Sequence, residues 1–126
     1  MTEKKDTFLE VIQKKNLVKI NAGYRSFRLD IKRGLKEEGD KCFGVTDFDK
    51  GTITLERDMD PETARETLLH ELTHIALELC GLGGEETTDI VKEHTNEEIT
   101  TRVSRSLLLL MNLNKDIFEV LLNECI

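Results

Sequence analysis

The chain has 126 residues, 38% hydrophobic and 34% charged, with a formal net charge of −7. That size and balance describe one folded domain over residues 1–126 and exclude a disordered chain or one too small to bury a core without disulfide staples. The charge is uneven: residues 1–50 carry 12 Lys/Arg against 9 Asp/Glu, whereas residues 51–126 carry 6 against 16, a balance of −10 that repels phosphate backbones and excludes nucleic acid as an expected partner.

No apolar run approaches a membrane span, Leu107 to Leu110 being far too short, so no membrane partner is expected. The N-terminus MTEKKDTFLE lacks an apolar signal core, which predicts a cytoplasmic location. Cys42, Cys80 and Cys125 form no C-x-x-C pair and read as reduced thiols.

In chain order, Phe8, Val11 and Ile12 give residues 3–15 the spacing of a short amphipathic helix. Leu17 to Ile20 reads as a strand, Asn21-Ala22-Gly23 as a turn, and Tyr24 to Ile31 as a second strand of rough period two. Gly34 to Lys41 is a polar connection. Cys42 to Thr46 is a short strand, Asp47 to Gly51 a turn, and Thr52 to Glu56 an alternating strand. The front half is therefore expected to be a small, mostly antiparallel sheet.

Asp60-Pro61-Glu62 starts a helix: an N-cap, a proline at the first helical position and an acid at the positive end of the dipole. It should run to Leu79 or Cys80 and stop at Gly81. Ala64, Leu68, Leu72, Ile75, Ala76 and Leu79 form one apolar stripe, with Leu69 and Leu77 beside it, which predicts a helix buried on more than one side. His70 and His74 fall opposite the stripe and should face a pocket rather than open water. Gly81 to Thr95 is a polar loop. Thr95 or Asn96 caps a further helix with Glu97 and Glu98 in its first turn and Ile99, Val103, Ser106, Leu107 and Leu110 on its buried face. Asn112 to Asn114 breaks it, and Asp116 to Asn123 forms a last helix.

The chemistry sits in His70-Glu71-Leu72-Thr73-His74. Histidines at i and i+4 project from one helix face and suit two ligands of a tetrahedral zinc. Glu71, beside them, is placed to act as base toward the water that such a metal holds. Only three histidines exist in the chain, and two fall in this frame. The extension that would place a third histidine on the same helix is missing, since Leu77 and Cys80 occupy those positions. A third ligand must come from elsewhere: Glu97, Glu98, His94, Asp89, Glu93, Glu85 and Glu86 are the candidates, and Glu98, next to the buried Ile99, is preferred. Tyr24 is expected at a half-buried strand position, Cys80 as a small buried hydrophobe, and Arg102 and Arg105 on a helix surface.

LLHELTHIALE, followed 22 residues after His74 by NEEITTRVSRSLLLL, resembles the gluzincin-type zinc metallopeptidases, and most of all the small phage and prophage proteins of the ImmA/IrrE family. The likeness covers roughly Gly51 to Leu113. It implies an α+β, zincin-like fold in which the small sheet packs on the HExxH helix and a following Glu-bearing helix. It implies Zn2+ held by His70, His74 and Glu98, with Glu71 as base, and hydrolysis of a peptide bond by a zinc-activated water. The partner would be a peptide or protein substrate, such as a regulatory protein of a mobile element. The strand Thr52 to Glu56 would lie along the cleft and pair with an extended substrate. Ile99-Thr100-Thr101-Arg102 departs from the small and aromatic residues that larger members often carry after the third ligand. The rival expectation is a zinc-binding regulatory protein with little turnover, because a chain of this length leaves little material for a deep specificity cleft.

Overall fold

A computed structural model of the chain describes residues 6–83 and 95–123. Six strands and four helices occur there: α1 (Phe8–Lys14), β1 (Lys19–Asn21), β2 (Ser26–Lys32), β3 (Lys36–Glu37), β4 (Asp40–Lys41), β5 (Gly44–Asp47), β6 (Thr52–Glu56), α2 (Pro61–Leu79), α3 (Asn96–Leu113) and α4 (Lys115–Asn123). The fold is α+β, as the sequence predicts. The main sheet runs β1-β2-β6-β5. β1–β2 and β5–β6 are antiparallel, and the central pair β2–β6 is parallel, with Leu29 opposite Ile53 and Ile31 opposite Leu55. Among the described residues no helix is long and apolar enough to cross a membrane.

Local chemistry accounts for each boundary. The Thr7 hydroxyl accepts the Glu10 N–H and starts α1. Asp60 accepts the Thr63 N–H at 2.9 Å and starts α2, and Gly81, at φ +78°, lets the chain leave it. Thr95 and Glu98 form a reciprocal capping box at the head of α3. The Asn114 carboxamide ends α3, accepting the Asn21 N–H at 2.7 Å and donating to the Asn21 carbonyl at 2.8 Å. It thereby ties the edge of β1 to the corner between α3 and α4.

α2 crosses β5 and β6 and also meets α1 and α3. Its stripe is buried as the spacing predicts: Ala64, Leu68, Leu72, Ile75 and Ala76 join Ile53 and Leu55 of β6, Phe27 and Leu29 of β2, and Phe8 and Ile12 of α1 in one core. Ser106 of α3 donates to the Ala76 carbonyl, and Arg65 of α2 donates to the Leu121 carbonyl of α4, so α2 is bound on both flanks.

Three expectations are corrected. Gly34 to Lys41 is not a plain connection: Lys36–Glu37 and Asp40–Lys41 pair as a hairpin through Glu38 and Gly39, at φ +51° and +86°, the signs of a type I′ turn. All four paired residues are exposed, so no alternation marked them as strands. Tyr24 lies in the β1–β2 connection at 67% exposure, not half-buried in a strand. Leu69, expected to be covered beside the stripe, stays 44% exposed, although α2 is packed by the sheet, α1 and α3.

Candidate metal centre

α2 supplies three of the four sequence-derived site residues. His70 and His74, one turn apart, bring their Nε2 atoms to 3.1 Å. Two nitrogens bound tetrahedrally at about 2.0–2.1 Å from one ion would lie about 3.3 Å apart, so the pair has the spacing a shared metal needs. The rings meet edge to face, with centroids 4.8 Å apart. Glu71 projects to the neighbouring side and is buried at 5% exposure. The ligand atoms of His70, Glu71 and His74 all lie within 4.8 Å of one another, and among the described residues they are the group that could hold a metal ion.

Glu71 is positioned by the sheet. Thr46 of β5 donates its hydroxyl to Glu71 Oε1 at 2.9 Å, while Oε2 faces His70 Nε2 at 3.9 Å. Gly44, two residues earlier on β5, makes this approach possible. A Cβ there would lie 2.8 Å from Thr67 Cγ2, closer than side chains tolerate, and 3.2 Å from Glu71 Cγ, a tight contact. A bare backbone therefore lets β5 run against the helix at the motif.

The histidines are more open than expected. The His70 side chain is 67% exposed, and both rings stand at the rim of a groove rather than inside a closed pocket. Two cavities of about 450 Å³ each flank the motif along β5. One, toward the start of α2, is lined by Phe43, Thr63, Glu66 and Thr67. The other, toward His74, is lined by Val45, Thr46, Phe48 and Glu37 of the hairpin. Gly44, His70 and Glu71 border both.

Glu98 is not part of this group. It is exposed, and its carboxylate accepts the Thr95 N–H at 3.4 Å while the Glu98 N–H donates to Thr95 Oγ1 at 3.1 Å. Thr95 is thus the cap, and Glu98 is its partner in the capping box. Glu97 is exposed on the same turn. His94, Asp89, Glu93, Glu85 and Glu86 lie outside the described residues. Arg102 and Arg105 are exposed on α3, and neither lines the two cavities. Cys80 is half-buried, with its thiol donating to the Leu77 carbonyl.

The strand alongside the motif also differs from expectation. Thr52 to Glu56 is hydrogen-bonded on both edges, to β2 and to β5, and has no edge left for a substrate. Among the described residues, Gly44–Asp47 is the edge strand beside the motif and pairs only with β6. Cys42, just before that edge, has its thiol pushed up from the ordinary value by burial first, then by the negative charges of Glu37, Glu71 and Glu56. Gly44, Thr46, Phe43, Phe48, Glu37 and Glu66 were missed as site residues. Only Gly44 carried a signal, a glycine within a strand, which marks a close backbone approach.

No known protein family, curated protein or solved structure matches this chain.

Proposed function

We propose that the chain is a zinc-dependent metallopeptidase of gluzincin type, in which His70 and His74 hold the metal, Glu71 is the general base, and an extended peptide lies along the outer edge of β5. The observation that carries this reading is the joint geometry of α2 and β5: two imidazole nitrogens 3.1 Å apart, and beside them a buried carboxylate held on one oxygen by Thr46. The donor set fits zinc in kind, since neutral imidazole and carboxylate are its usual nitrogen and oxygen ligands. Zinc bound there would supply a Lewis acid and lower the pKa of water.

The residues then divide the work. Thr46 holds Oε1 of Glu71 and leaves Oε2 turned toward the histidine face, where it can take a proton from the attacking water and return it to the leaving amine. Among the described residues β5 has no partner on its outer edge, and the N–H and C=O groups there would fix a substrate backbone by strand addition. The third ligand in this reading is Glu98. To take that part its carboxylate would release the 3.4 Å contact to the Thr95 N–H. A phage or mobile-element regulator as substrate rests on the family resemblance alone.

One observation favours the rival, a metal-holding regulatory protein with little turnover: Glu98 already serves its own helix in the capping box.

The test combines metal analysis with proteolysis. Gently purified protein is expected to carry about one zinc per chain; Glu98→Ala should lower zinc affinity at least tenfold and Glu97→Ala should not. Wild type, but not Glu71→Gln, should generate new peptide ends in a protein mixture read by mass spectrometry. Zinc in both proteins with fragments from neither would transfer the assignment to the rival.

A further inference from the structure

From the two cavities beside the motif, we infer that the groove selects a basic segment: an extended peptide carrying lysine or arginine on both sides of the residue at the metal centre. This deepens the metallopeptidase reading for cleavage, while recognition itself depends only on the groove.

Each cavity pairs one aromatic ring with one carboxylate. Toward the start of α2 these are Phe43, 57% exposed, and Glu66. Toward His74 they are Phe48 and Glu37. A lysine or arginine side chain matches both parts, with its alkyl stem and charge against the ring face and its head on the carboxylate. Among the described residues no lysine or arginine lines either cavity to neutralise those carboxylates. An acidic peptide would meet Glu37, Glu66 and Glu71 in succession. The metal's own charge does not reverse this, because Glu71 and a carboxylate ligand offset it locally, while Glu37 and Glu66 stand to either side.

The β3–β4 hairpin supports the same polarity. Its cross-strand pairs are Lys36 with Lys41 and Glu37 with Asp40. Partners directly opposite share a face of a hairpin, and neighbours along a strand take opposite faces. The hairpin thus sorts its charges into a basic face and an acidic face, and Glu37, which lines the groove, sets the acidic one toward it.

Spacing along β5 agrees with two flanking side chains. The cavities lie on either side of Gly44 and Glu71, and an extended peptide added to the strand sends alternate side chains to the same face, about 6.6 Å apart. Side chains two residues apart can therefore enter the two cavities while the residue between them lies at the histidines.

The test measures binding and cleavage separately. Lysine-bearing, glutamate-bearing and neutral versions of one short extended peptide, fluorescently labelled, are titrated into Glu71→Gln by anisotropy, with zinc and with a chelator. The lysine peptide is expected to bind at least about tenfold tighter than the glutamate peptide at low salt, with the gap narrowing as salt rises. Glu37→Gln and Glu66→Gln should each weaken the lysine peptide about two- to fivefold and leave the neutral one unchanged. Glu119→Gln, the same charge change on the exposed face of α4, should do nothing. Equal binding of the three peptides, binding of none, or an equal effect of Glu119→Gln would overturn the inference. In parallel, wild-type cleavage sites in a peptide mixture are read by mass spectrometry. Sites lacking flanking Lys/Arg also overturn it, whereas selective binding without Glu71-dependent cleavage sinks the peptidase reading and leaves the recognition standing.

Discussion

Glu56 and Glu71 are both buried carboxylates, at 6% and 5% exposure, one at the end of β6 and the other in the middle of α2. Their surroundings differ. Glu56 is enclosed by backbone donors: Oε1 accepts the Gly34 and Leu35 N–H groups at 2.9 and 3.0 Å, and Oε2 accepts the Asp58 N–H at 3.1 Å. These donors, Asp58 first, hold its carboxyl below the usual carboxylate range. Glu71 accepts one hydrogen bond among the described residues, on Oε1, and turns Oε2 to the histidines. A carboxylate with both oxygens engaged locks a chain reversal in place, whereas one pinned on a single side keeps an oxygen for chemistry. Burial alone does not tell the two apart; the count of donors does.

Exchanging each acid for its amide breaks the comparison most sharply. Glu71→Gln should lower cleavage at least about 10²-fold while the melting temperature stays near wild type, because the amide oxygen can still accept from Thr46. Glu56→Gln should do the reverse, lowering the melting temperature and leaving zinc content intact. Comparable activity losses in both variants would mean that the division of labour is misread.

Next comes acidity. A group with a lowered folded-state pKa stabilises the fold above its unfolded value, near 4.5, and that contribution is lost as pH falls through the lower folded value. Wild type should therefore lose stability as pH drops below about 4.5, and Glu56→Gln should lose less over the same interval. Thermal melts across that range check it; parallel slopes would remove Glu56 as the acid-sensitive clasp.

Gly44→Val probes how Glu71 is held. Its added carbons collide with Thr67 and Glu71, so β5 must shift outward, at a cost of about 1–3 kcal/mol in stability together with lost cleavage. The smallest expected change is Thr46→Val, which removes the hydroxyl with little change of shape. It should reduce cleavage about tenfold or less, since the base loses its only described donor.

Much of the frame was legible in the sequence. Asp60-Pro61, the stripe from Ala64 to Leu79, Thr95 with Glu98, and Asn114 are local signals, and local signals survive folding because capping and helix periodicity act within a few residues. The alternation of Thr52 to Glu56 was likewise enough to mark β6. His70, Glu71 and His74 were legible for the same reason, lying within a turn and a half of one helix.

What folding alone decided is everything between elements distant along the chain. Strand order is not written in alternation, so only tertiary pairing could show that β6 is interior and that β5 lies at the edge beside the motif. The Thr46 hydroxyl reaches Glu71 across 25 residues, and the polar hairpin brings Glu37 to the same groove with no apolar pattern to announce it. Spacing within one helix is set by covalent geometry and the 3.6-residue turn, but which strand lies at the edge and which acids meet depend on the packing of the whole chain.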